Sequence, residues 1–159
     1  MNMKTKDINN LIKELNTTID WWVENRQLFA GGCCWSAYLL ARGFERLGIR
    51  YSTVVYQCGD NWNTNKFSKV TNGDGCGHIA ICVVYKHKKM VIGFNEYFDY
   101  SLKKCMGYCG DWMIRNYTGI SAKNLLRTYH SNCWNEIWYT GYNSVLSREI
   151  NAIFNKYAI

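Results

Sequence analysis

With 159 residues, 48% of them hydrophobic and 19% charged, the chain has the length of one domain and enough apolar content to bury a core, which excludes wholesale disorder. Seven Trp, twelve Tyr and six Phe exclude collagen-like, mucin-like and coiled-coil compositions, and with no proline the turns must rest on Gly and Asn. The net charge of +7 favours acidic partners, yet the positive residues are scattered; the one cluster, Lys86 to Lys89, is shorter than the basic run of a nucleic-acid arm.

Taken in chain order, Ile8, Leu11, Ile12, Leu15, Ile19 and Trp22 recur at helical spacing, which predicts a helix over 7–22 with Asp7 as its N-cap. A second helix is predicted over 33–47, ending at Gly48 with Arg46 in the last turn. Tyr51 to Gln57, rich in β-branched and aromatic residues, reads as a strand. The Gly-, Asn- and Asp-rich stretch 58–77 reads as a long functional loop. His78 to Tyr85 and Met90 to Asn95 form a hairpin across the basic turn 86–89. Beyond it lie a turn at 107–111, a short helix over 121–127 with Ser121 as cap, a strand over 134–140 and an amphipathic helix over 144–157. Helices followed by a hairpin and mixed elements predict an α+β domain with an antiparallel sheet. No repeat or linker divides the chain, so 1–159 is read as one domain, with a core over about 27–99, an N-terminal helix in 1–26 and a C-terminal extension in 100–159.

The first ten residues are polar, and the longest apolar run, Ile79 to Tyr85, is far too short to span a bilayer. We therefore expect a cytoplasmic protein without membrane contact, whose eight cysteines are reduced thiols. Cys105-x3-Cys109 and Cys76-x-His78 do not make a zinc spacing, so no metal and no cofactor are expected.

The segment Gly31-Gly32-Cys33-Cys34-Trp35-Ser36-Ala37 carries the chemistry. It places thiols at a helix start, where unpaired N–H groups and the helix dipole favour a thiolate. A thiolate needs a base or ion-pair partner, most often His, and His78 opens the strand Gly77-His78-Ile79-Ala80-Ile81, where partial exposure is expected. An even-length hairpin turn would pair Val83 with Ile92 and Ala80 with Asn95, placing Asn95 on the His78 face to hold the imidazole; Asp99 falls on the same face as a reserve. At about 100° per residue, Cys33 projects near the middle of the face formed by Ala37, Leu40, Ala41, Phe44 and Leu47, while Cys34 points toward the side of Glu45. Cys33 is thus expected to aim at the sheet and Cys34 along its margin, although the first turn leaves Cys34 open as the nucleophile. A lone Cys or His is ordinarily structural; the ordered set raises both above that reading. His87 is expected to be exposed, His130 structural or rim-lining, and Trp21, Trp22, Trp62 and Trp112 core or cleft wall.

These residues resemble the papain-like and transglutaminase-like thiol enzymes, whose nucleophile starts a helix and whose His and Asn or Asp follow on antiparallel strands. Gly31-x-Cys33-x3-Ala37 with Leu47-Gly48-Ile49, and then Val54-Val55-Tyr56, resembles the transglutaminase-like pattern. Cys33-x-Trp35 with Gly77-His78-Ile79-Ala80-Ile81 is similar to the CHAP amidases, and Cys34-Trp35-Ser36 resembles papain-like enzymes, which would make Cys34 the nucleophile. The likeness spans about residues 27–99. Ala80 stands where transglutaminase-like proteins carry an aromatic residue, and Arg50 where a proline often follows. Gln27, six residues before Cys33, lies much as papain-like enzymes place an oxyanion glutamine. The resemblance implies a nucleophile-bearing helix packed on an antiparallel sheet, with Cys33, His78 and Asn95 as a triad acting on a peptide, isopeptide or glutamine-side-chain amide. A different class of function, a non-catalytic basic binding or inhibitor module engaging an acidic partner, stays open beside it.

Overall fold

Helix α1 spans Thr5–Arg26 and α2 spans Gly32–Leu47. Strands β1 (Tyr51–Gln57), β2 (Cys76–Tyr85), β3 (Lys88–Ile92), β4 (Phe98–Asp99), β5 (Lys104–Cys105) and β6 (Met113–Thr118) follow, and helices α3 (Ala122–Ser131) and α4 (Thr140–Tyr157) close the chain. The computed structural model describes residues 4–26, 32–57, 66–67, 76–93, 98–99, 104–105, 113–131 and 140–158. Gln27 and Asn95 lie outside these residues, and Asp99 is described only as a position in β4. Among the described residues the architecture is α+β: four helices and a four-stranded antiparallel sheet in the order β3-β2-β1-β6, with β4 and β5 pairing separately. No helix of the described residues is long and apolar enough to cross a membrane.

The periodicity read in the first helix becomes the buried stripe of α1: Ile8, Leu11, Ile12, Leu15, Ile19 and Trp22 are all at most 5% exposed. Asp7 is not the cap. It sits inside the first turn, where its carboxylate suits the helix dipole, and the Lys4 carbonyl accepts the N–H groups of Asp7 and Ile8. The expected stop of α2 is in place. Gly48 takes φ +67°, its N–H bonds the Glu45 carbonyl and the Ile49 N–H bonds the Phe44 carbonyl, which closes the last turn.

One expectation about α2 needs correction. A single apolar face was read, but Cys34, Ser36, Ala37, Leu39, Leu40, Ala41 and Phe44 are all buried. The helix is a central element, packed on β2 and also against α3 and α4, so residues off the predicted face are covered as well. Its contact with α4 is tight enough to require Gly43: a Cβ there would lie 2.1 Å from the fully buried Phe154 ring. Gly43→Ala is therefore expected to cost about 1–3 kcal/mol or more through overpacking, read as a lowered thermal midpoint, although alanine is otherwise the better helix former.

The hairpin also differs in detail. Lys86 and His87 both take positive φ, 47° and 64°, so the turn is two residues long and matches the twist of its strands. Lys88 and Lys89 belong to β3, and Val83 pairs with Met90 rather than with Ile92. A shift of two residues keeps every side chain on its expected face. The ladder ends at the Ile81–Ile92 pair, where Gly93 bends the chain with φ +97°. In the last third, the strand expected over 134–140 is corrected at Thr140, which opens α4; residues 134–139 lie outside the described part, as does the turn at 107–111. Strand β6 was not read from the sequence, because Met113–Thr118 mixes polar and apolar residues on an edge strand whose alternation is weak.

Candidate thiol–imidazole site

Side chains alternate across the sheet, and the two faces are distinct. Val55, Ile79, Ile81, Val83 and Ile92 join the helices in the main core. Val54, Tyr56, Ala80 and Cys82 form a smaller apolar cluster of the other parity. His78 belongs by parity to this second set and lies opposite Tyr56 in the β1–β2 ladder, their rings 6.0 Å apart. The register shifts just there, between Tyr56 and Gln57, so the ladder passes from Tyr56–His78 directly to Gln57–Cys76. Irregularities of this kind re-aim side chains at the end of a sheet.

Cys33 and His78 meet at that end. The Cys33 sulfur is hydrogen-bonded by the Cys34 thiol, by His78 and by the backbone N–H of Ile79. A strand N–H lies in the plane of the sheet and ordinarily serves a neighbouring strand. At Ile79 the ladder to β3 has already stopped, and the sulfur takes that N–H instead. The thiol therefore meets β2 past the last β2–β3 pair, and it also packs against the main core. The picture of one face carrying both residues needs correction: Cys33 packs against the main core, while His78 belongs by parity to the other face and still reaches the sulfur.

These contacts set the electrostatics. The Cys33 thiol is held well below its ordinary value: the Cys34 thiol donates to it most strongly, His78 both donates and attracts the thiolate, and the Ile79 N–H adds to them, against an opposing effect of burial. Cys82 gives the contrast. It is fully buried in β2, and burial pushes its thiol up. Cys33, Cys34 and Cys82 all have free thiols, but Cys33 alone of the three combines partial exposure with a favoured thiolate. Cys34 is 2% exposed, not at a margin, because α2 is covered on that side too.

His78 is 4% exposed, against the expected partial exposure. Its Nε2 lies 2.6 Å from the carbonyl oxygen of Gly93, the residue at which β3 bends away. A carbonyl oxygen only accepts, so Nε2 carries a proton and donates. The sequence carried a signal for this arrangement: a Gly inside an apparent strand marks a bulge or a strand end. Reading Met90 to Asn95 as a continuous strand passed over it.

The structure thus brings Cys33 and His78 together and buries Cys34 beside them, while the candidates Gln27 and Asn95 fall outside the described residues. Among the described residues, no three His, Cys, Asp or Glu side chains gather in a way that would hold a metal. Elsewhere, a cavity of about 690 Å³ lined by Glu45, Tyr51 and Val84 lies at the other end of α2. Glu45 is twelve residues on from Cys33, about 18 Å along the helix. Its Oε1 accepts from the Tyr51 hydroxyl and the Ala122 N–H, so the polar groups there tie α2 to β1 and the start of α3. His87 and His130 are exposed, and Trp22 is core, donating from Nε1 to Glu149 at 2.5 Å. Trp21 is 47% exposed, and Trp62 and Trp112 lie outside the described residues. No family model, no curated protein and no solved structure matches this chain.

Proposed function

We propose that the chain is a thiol-dependent hydrolase or acyltransferase of papain-like or transglutaminase-like type, acting on a peptide, isopeptide or glutamine-side-chain amide. The observation that carries this reading is the Cys33 sulfur at the start of α2, bonded to His78 and to the Ile79 N–H with its thiolate favoured. The helix that bears the thiol packs on an antiparallel sheet whose second strand bears the imidazole, the arrangement such enzymes use.

In the reaction, the Cys33 thiolate attacks the amide carbonyl carbon and forms a C–S bond. Negative charge moves to the carbonyl oxygen. First-turn N–H groups of α2, which no carbonyl within the helix can take, are suited to receive it, with the Gln27 amide as a further donor. His78 passes its proton to the leaving nitrogen as the C–N bond breaks, leaving a thioester. Water or an amine, deprotonated by His78, then attacks the thioester and releases Cys33. No cofactor enters these steps, and a cytoplasmic location suits the reduced thiols they need.

Iodoacetamide labelling of the intact chain, followed by peptide mapping, tests the reading. At about pH 6 an ordinary thiol is under one per cent ionised, so Cys33 should label far faster than every other cysteine. Uniform slow labelling would instead favour a basic binding module that keeps the fold without the chemistry.

A further inference from the structure

Resting on the reading of Cys33 and His78 as a catalytic pair, we propose that the main-chain carbonyl of Gly93 orients the His78 imidazole, so that the backbone serves as a positioning partner of the pair. Three observations meet here. Nε2 of His78 lies 2.6 Å from the Gly93 oxygen, a short bond in a buried setting. Gly93 is itself buried and takes φ +97°, a conformation that L side chains rarely adopt. It follows directly on Ile92, fully buried and paired with Ile81, so the carbonyl projects from the last rung of a fixed ladder.

The chemistry follows from the acceptor. Because the carbonyl accepts the Nε2–H bond, the neutral imidazole is held in the tautomer whose basic nitrogen is Nδ1, the one that would receive the proton from Cys33. When the ring becomes imidazolium, the same carbonyl receives a stronger, charge-assisted bond, which favours the ion pair without placing a carboxylate beside the thiolate. A single N–H has one proton to give, and at 2.6 Å it is committed. The positive φ explains why the sequence has Gly at 93: the residue's task is to turn the strand and present its carbonyl, which a side chain would hinder.

Nitrogen-15 NMR of the full chain with labelled histidine tests this directly, with Cys33 alkylation measured in parallel. The expected result is a slowly exchanging His78 Nε2 proton, present whether or not Nδ1 is protonated, and still present in Asn95→Ala. Gly93→Ala should disturb that proton, shift the pH profile of Cys33 alkylation upward and slow turnover about 10–100-fold, as loss of a group that orients a catalytic residue does. Should Gly93→Ala fail to fold, the tautomer in wild type and in Asn95→Ala still decides. Protonation on Nδ1 with none on Nε2, or rapid alkylation with an Nε2 proton signal that vanishes in Asn95→Ala, overturns the inference alone. Slow alkylation of Cys33 with the Nε2 proton in place overturns the catalytic reading, and the inference with it.

Discussion

Replacing Cys33 by alanine should reduce turnover by on the order of 10⁴-fold or more, since in the proposed mechanism it removes the nucleophile itself. The thermal midpoint should change little, because Cys33 is only partly buried. Cys34→Ala should give the reverse pattern. It removes a sulfur that is 2% exposed and lies within the main core, at a cost of about 1 kcal/mol. It also removes the donor that contributes most to holding the Cys33 thiol down. The sign follows: without that donor the thiolate is less favoured, the pKa rises, and the alkylation profile of Cys33 moves to higher pH while the maximal rate is kept. Rates measured across pH for both variants, with thermal melts alongside, check the pair. Activity that survives Cys33→Ala and dies in Cys34→Ala would make Cys34 the nucleophile, as the papain-like register Cys34-Trp35-Ser36 implies.

His78→Ala should slow the reaction by roughly 10²–10⁴-fold, the usual worth of the general acid and base it is proposed to be. The alkylation profile should also move up toward that of an ordinary thiol, because the donor and positive charge beside the sulfur are gone. Unlike an exposed strand-opening residue, His78 is buried, and its loss leaves the Gly93 carbonyl without its donor. An unsatisfied buried acceptor costs about 1–3 kcal/mol, so a lower melting point should accompany the kinetic loss. Measuring both separates the roles: a variant that melts lower yet keeps rapid alkylation at about pH 6 would make His78 a structural residue only.

The pair Cys33 and His78 was legible because each sits where local rules are strong. Cys33 follows two glycines at the start of an amphipathic helix, and His78 opens an apolar strand. Helix α1 and the Gly48 stop of α2 were equally legible, for they depend on periodicity and on one residue's φ. What the sequence did not reveal depends on tertiary context. The burial of Cys34 comes from α3 and α4 covering a helix that looked one-sided, and long-range packing of that kind leaves no mark at 100° spacing. The role proposed for Gly93 required knowing that β3 stops at Ile92 and bends at Gly93, which puts the end of the strand beside His78. Lys86 and His87 adopt positive φ without the Asn-Gly signature that would have announced such a turn. Strand β6 joins the sheet next to β1 through a long-range pairing that its mixed polar composition does not signal.

The thiolate's own ultraviolet absorbance, followed across pH as wild type minus Cys33→Ala, tests the central claim most directly, since it reports the charge on one sulfur without any substrate. If Cys33 and His78 form the ion pair, the difference signal should already be full at about pH 6 and fall only at lower pH, as the pair takes up its proton. A difference signal that is absent at about pH 6 and rises only near the ordinary thiol range of about 8.5 would contradict it.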